Sequence, residues 1–284
     1  MVTPNARRNR GQVILIGAIT LAFILLGIVV VFNGVLYTET ISESSTSQST
    51  ADAEMVAEGL ERNLVEIAHR RNLNGNDPYK FADEITAIDG FRDQYRNTTA
   101  NSRSVSVNAD EVSIETEAAI VVDEPIGDPP QDINVSGSQI GYLVLDLDAN
   151  DGDDITIETD PGSKDVSIES DSNSFEVDGC EIESDEVRFD LVTGKTDSRS
   201  AVDCDPDKLQ EKLSIIDSST MYDEIVLTGD DLGTYDIVVR DGFGDNPNKD
   251  HDGIWKIEAD ITYESTQVSY ERTDATIEVY GDNG

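Results

Sequence analysis

Few residues in this chain are equipped for specific chemistry. Cys180 and Cys204 are its whole thiol complement. They fall in a region that reads as lying outside the membrane, where disulfides persist, and most simply form one bridge, worth roughly 3 kcal/mol in the chain-entropy model. A pair of buried free thiols is the plainer alternative, and two cysteines do not complete a four-ligand zinc site. Asn248-x-Asp250-x-Asp252-Gly253 resembles the first half of a calcium loop, which sets oxygen ligands at alternate positions before a glycine turn. The twelfth-position acid is missing, because Ala259 stands there between Glu258 and Asp260. Ca²⁺ is thus the one cofactor the sequence suggests, against the alternative of an acidic loop holding diffuse cations. The Asp148-x-Asn150-Asp151-Gly152 stretch reads as a turn. His69 and His251 are the only histidines, far apart in the chain, and neither stands near a nucleophile motif. No residue is assigned a catalytic role, and the chain is not read as an enzyme. Asn97-Thr98-Thr99 and Asn134-Val135-Ser136 fit the N-glycosylation pattern.

The elements that must position these residues are mainly strands. From about Ser104 the apolar period is two: Val105-x-Val107, Val112-x-Ile114, and then ten candidate strands between Ile140 and Tyr280 that mostly alternate apolar with acidic residues. Short strands broken by Gly, Asp and Asn turns predict a mainly antiparallel, β-sandwich-like domain. Asp205-Pro206 opens one interrupting helix with Leu209, Leu213 and Ile216 on its inner face. Upstream, Val56, Leu60, Leu64 and Ile67 form a helical stripe that ends at Leu73-Asn74-Gly75. Asp77-Pro78 then caps a second helix with Phe81, Ile85, Ile88, Phe91 and Tyr95 on its apolar face, and the two helices pack as a hairpin. Residues 123–137, with Pro125, Pro129 and Pro130, read as a linker or long loop.

Charge places these elements relative to a membrane. The 284 residues carry 20 Lys+Arg against 59 Asp+Glu, a net of -39. This excludes nucleic-acid binding through a basic surface. Residues 1–11 hold Arg7, Arg8 and Arg10 and no acid, whereas 12–284 carry a net of -42. Between the arginines and the acids, Val13 to Phe32 is an uncharged apolar run of bilayer length. Arginines stay cytoplasmic, so a single-pass protein follows, with the lipid bilayer as partner, a cytoplasmic N-terminus and an extracellular C-terminal domain. The regular alternation of acids with apolar residues describes a folded surface suited to multimolar salt, not a disordered acidic chain.

The segment Arg10-Gly11-Gln12-Val13-Ile14-Leu15-Ile16-Gly17 resembles the start of archaeal type IV prepilins and archaellins, and Asn33 to Thr40 resembles pilin-like membrane proteins of haloarchaea. The resemblance covers roughly the first 40 residues. It implies cleavage by prepilin peptidase between Gly11 and Gln12, with the helix retained for packing against other pilin-like subunits. One departure is Ile16, where bacterial-type pilins place a Glu. The expected organisation is α+β: a basic leader at 1–11, a transmembrane helix at 12–38 and a helical stalk or hairpin at 39–100. Short strands and a linker follow at 101–139, then a β-rich extracellular domain at 140–284. The function implied is a structural or assembly component of a surface filament or pilus-related machine. The alternative is an uncleaved single-pass surface protein whose β ectodomain binds a ligand or partner.

Overall fold

A computed structural model describes residues 51, 53–87, 90–103, 106–127, 131–149, 154–160, 164–197, 204–229, 233–243, 251–265 and 268–281. Gly11, Gln12 and the apolar run Val13–Phe32 lie outside these residues, as do Asn248 and Asp250. Among the described residues no helix is long and apolar enough to cross a membrane.

Helix α1 spans 53–73. Ala53, Val56, Ala57, Leu60, Leu64 and Ala68 recur at helical spacing and are all buried. Each of the two leucines is worth about 1.5–3 kcal/mol of burial. Gly75, at φ 63°, ends the helix: its N–H returns to the Asn72 carbonyl at 3.2 Å and that of Asn76 to Arg71 at 3.3 Å. The second helix of the expected hairpin is divided. Asp77 accepts from the Tyr79 N–H at 3.0 Å and opens a 3₁₀ turn, Pro78–Lys80, followed by α2 (Phe81–Thr86) and α3 (Phe91–Arg103). Ala87 leaves the helix at ψ 154°, and a Cβ on Gly90 would stand 2.5 Å from the Glu84 carbonyl oxygen, so the chain turns where only glycine fits. Ile88 lies outside the described residues. Tyr95 of α3 still reaches α1, donating to the Val56 carbonyl at 3.2 Å.

The rest is antiparallel sheet. The strands are β1 (Ser106–Pro125), β2 (Gln131–Asp148), β3 (Asp154–Thr159), β4 (Asp165–Asp171), β5 (Ser174–Val177), β6 (Cys180–Glu183), β7 (Glu186–Asp190) and β8 (Lys195–Thr196). Helix α4 (Pro206–Leu213) follows, then β9 (Met221–Thr228), β10 (Gly233–Arg240), β11 (His251–Glu264) and β12 (Ser269–Glu278). The order is β12-β11-β1-β10-β2-β9-β3-β4-β5-β6, with β7 also on β2 and β8 on β7. Strand β2 turns the sheet back on itself. Its C-terminal half lies between β10 and β7, its N-terminal half pairs with β9, and the register shifts between Asn134 and Ser138. Ser136 and Gly137 sit there at φ 53° and 74°.

Two corrections to the expected organisation follow. The linker of 123–137 is the connection between the two longest strands, and its ends are strand: Pro125, which has no N–H to give the ladder, closes β1, and residues from Gln131 belong to β2. The boundary at 139/140 falls inside β2, while β1 is paired on both sides with β10 and β11 from the C-terminal part. The sheet therefore belongs to one structural unit.

The fold-back makes three layers. The half of the sheet containing β12, β11, β1, β10, β2 and β7 is covered on one face by the half containing β9 and β3 to β6. The apolar cluster between them takes in Val121, Leu145, Phe189, Tyr235 and Ile237 on one side and Ile157, Ile168, Phe175 and Leu227 on the other. Helices α1 and α2 cover its opposite face. Alternation explains the fully buried run in β1: Ala119 and Val121 point into the sandwich, Ala118 and Ile120 towards the helices. Helix α4, capped by Asp205, buries Leu209 and Leu213 against the sandwich core. The protein is thus α+β with a β-rich, mostly antiparallel body.

Candidate functional site: a polar seam between helix and sheet

The stripe on α1 is apolar except at its last turn, where His69 and Asn72 lie on the same face. Asn72, 1% exposed, holds the helix to β11. Its Nδ2 donates to the Ile254 carbonyl at 2.8 Å and its Oδ1 accepts the Ile254 N–H at 2.9 Å. β12 pairs with β11 only from Lys256 onward, so the carboxamide takes the place a neighbouring peptide group would hold. The Asn72 carbonyl also accepts from His251 Nε2 at 2.7 Å. Asn72 Nδ2 reaches the Tyr280 hydroxyl at 3.1 Å, and that hydroxyl meets His69 Nδ1 at 2.9 Å. The Tyr142 and Tyr280 rings stand edge-on to His69, with centroids 5.1 and 5.5 Å away.

Two glycines permit this approach. A Cβ on Gly141 would lie 2.2 Å from Tyr280 Cβ, and one on Gly253 would lie 2.2 Å from Ile120 Cδ1. Arg71, next to Asn72 and itself buried, donates its Nε to the Asp77 carbonyl at 2.9 Å and pairs with Glu84 at 2.5 Å, tying the helix end to the following turn.

Beyond Tyr142 the seam becomes charged. Arg188 of β7 donates to the Tyr142 hydroxyl at 2.7 Å and to Asp236 at 3.2 Å, with Asp146 at 3.5 Å. Asp236, 6% exposed, also accepts the Asp123 N–H at 3.0 Å, and Asp123 sits at φ 54° in a register shift of β1. Burial pushes both the Asp236 and Asp146 carboxyls up, against the pull of Arg188. Burial and then Arg188 push His69 down, and burial pushes the Tyr142 and Tyr280 phenols up. A cavity of about 430 Å³ opens beside Arg188, walled by Asp146, Asp148, Glu186 and Asp197. Chemically the seam fixes a helix and a proton distribution.

The two histidines, remote in sequence, both reach the last turn of α1. Cys180 and Cys204 are joined, with Cα atoms 5.3 Å apart, fastening β6 to the approach of α4. Asn97 is exposed on α3 and Asn134 on β2, where the Asn134 Oδ1 accepts from Ser136 N at 3.0 Å and Ser136 Oγ at 2.8 Å. Asp252 of β11 pairs with Ala119 of β1, and the chain is extended from His251 onward. Gly253 therefore does not make the turn a calcium loop takes at that point, and Glu258 and Asp260 continue the strand. Among the described residues no group of three His, Cys, Asp or Glu could hold a metal ion. Asn72, Tyr142, Arg188, Asp236 and Tyr280 went unread in the sequence. Asp236, an acid inside the apolar run Tyr235–Val239, was the available signal.

Fold and seam define an α+β protein with a helical layer clamped to an antiparallel sheet. Residues 7–121 match a family of unknown function (DUF7261). That span takes in the arginine leader, the apolar run, the three N-terminal helices and most of β1, and it ends within the strand. No curated protein and no solved structure matches the chain.

Proposed function

We propose that this chain is a membrane-anchored, pilin-like cell-surface protein of a halophilic archaeon, a structural or assembly component of a surface filament or pilus-related machine. The observation that carries the reading is the fixing of α1 to the sheet. The first described helix after the apolar run is held along its length by a buried stripe and at its end by Asn72 and His69. A load on the N-terminal segment reaches the β-rich body through that helix, as an anchored or filament subunit requires. The arginine leader, the Gly11–Gln12 junction and the uncharged run supply the processing and membrane signals, and the acidic strand faces suit a surface in brine. A second reading, an uncleaved surface protein with a ligand-binding ectodomain, draws on the cavity beside Arg188. Electron microscopy of filaments sheared from cells, labelled with antibody against residues 140–284, separates the two. Label along filaments supports the first. Label confined to the membrane fraction supports the second.

A further inference from the structure

Hydrogen bonding around Tyr280 fixes the state of His69. The phenol is 5% exposed and receives the Asn72 Nδ2–H. Its own proton needs an acceptor, since a buried hydroxyl left unpaired is costly. Among the described residues it meets His69 Nδ1 at 2.9 Å. His69 is then neutral, with its proton on Nε2. The ring stands against Tyr142 of β2 and Tyr280 beyond β12. The charged groups facing it are Arg188 and Asp190 of β7. Arg188 is held in turn by Asp146 of β2 and Asp236 of β10. On α1 itself, Arg70 is exposed and paired with Glu66.

We propose that His69 is a proton-sensitive latch holding the last turn of α1 on the sheet. Neutral, it accepts the Tyr280 proton and the turn stays docked. When it takes a proton from solvent, Nδ1 becomes a donor, the Tyr280 hydroxyl loses its acceptor, and a half-buried cation stands on the side of Arg188. The turn then disengages, with no covalent change. The docked ring binds a proton less readily than a free one, because burial and Arg188 oppose the charge. Docking is therefore complete above the ordinary histidine value of about 6.5 and weakens as pH falls from there towards the lower docked-state value.

Trp255 is the only tryptophan, and its ring lies 5.5 Å from that of Tyr280, so its fluorescence reports the joint. The full chain in detergent micelles and multimolar KCl is titrated from pH 8 to 5. The expected result is a reversible shift of Trp255 emission with a midpoint below about 6.5. His69→Gln, which keeps an acceptor and does not titrate, abolishes the shift. A flat wild-type curve overturns the proposal. So does a shift that survives His69→Gln, the result if Asp146 or Asp236 carries it. Should His69→Gln not fold, the two histidine Cε1–H signals of the wild type decide by NMR. The His69 signal must titrate with the Trp255 midpoint, and a mismatch overturns the latch.

Discussion

The helical part and the sheet part of this molecule carry charge very differently. Residues 51–103 hold 7 basic against 10 acidic side chains, whereas 104–284 hold 10 against 47. Their cores differ as well. The sandwich core is built mainly from strand residues of alternating burial and is stapled by Cys180–Cys204. The core under the helices ends in a chain of polar groups running from Ile254 through Asn72, Tyr280, His69 and Tyr142 to Arg188 and Asp236. One half-sheet serves both, with alternate residues of β1 and β10 facing each way. The same strand pattern thus supports an acid-coated body on one face and, on the other, a helix packed by an apolar stripe and pinned at its end by polar contacts.

Removing salt tests that contrast at the largest scale. With screening lost, 47 acids against 10 bases repel across the sheet region. Dialysis from multimolar KCl into dilute buffer is expected to abolish the strand circular dichroism, and an unchanged spectrum contradicts the salt-adapted surface. Within the sandwich, Phe189→Ala removes a fully buried ring packed edge-on against Phe175 at 5.7 Å. It should cost about 3–5 kcal/mol, read as a lower denaturation midpoint. Because the half-sheet is shared, Trp255 emission and far-UV dichroism should move together in that variant. Reducing Cys180–Cys204 should lower stability by roughly 3 kcal/mol without altering native Trp255 emission, since the bridge lies in the other layer. Asn72→Ala acts on the seam. It leaves the Ile254 N–H and C=O buried and unpaired, about 1–3 kcal/mol for each group, and should shift native Trp255 emission as the disulfide does not.

Much of the sheet was legible in the sequence because each strand buries one face: β4, Asp165–Asp171, alternates without exception between exposed and buried. The α1 stripe and its Gly75 stop were legible for the same reason of period and local chemistry. The second helix was read as continuous because its apolar spacing carries across Gly90, while the backbone turn there depends on close contact with Glu84 and Ala87. The linker was misplaced because Pro129 and Pro130 signal a loop without marking how little of the flanking chain leaves the ladder. The seam itself had almost no sequence signature. His69 and Tyr280 are 211 positions apart, Asn72 and Ile254 are 182 apart, and only the fold brings them together.

The proposed identity as a processed, pilin-like surface subunit depends on what happens at Gly11–Gln12, on the N-terminal side of the apolar run. Mass spectrometry of the mature N-terminus, in cells with and without prepilin peptidase, measures it directly. Chains that begin at Gln12 only when the peptidase is present are the predicted result. Chains that retain residues 1–11 in both would contradict it.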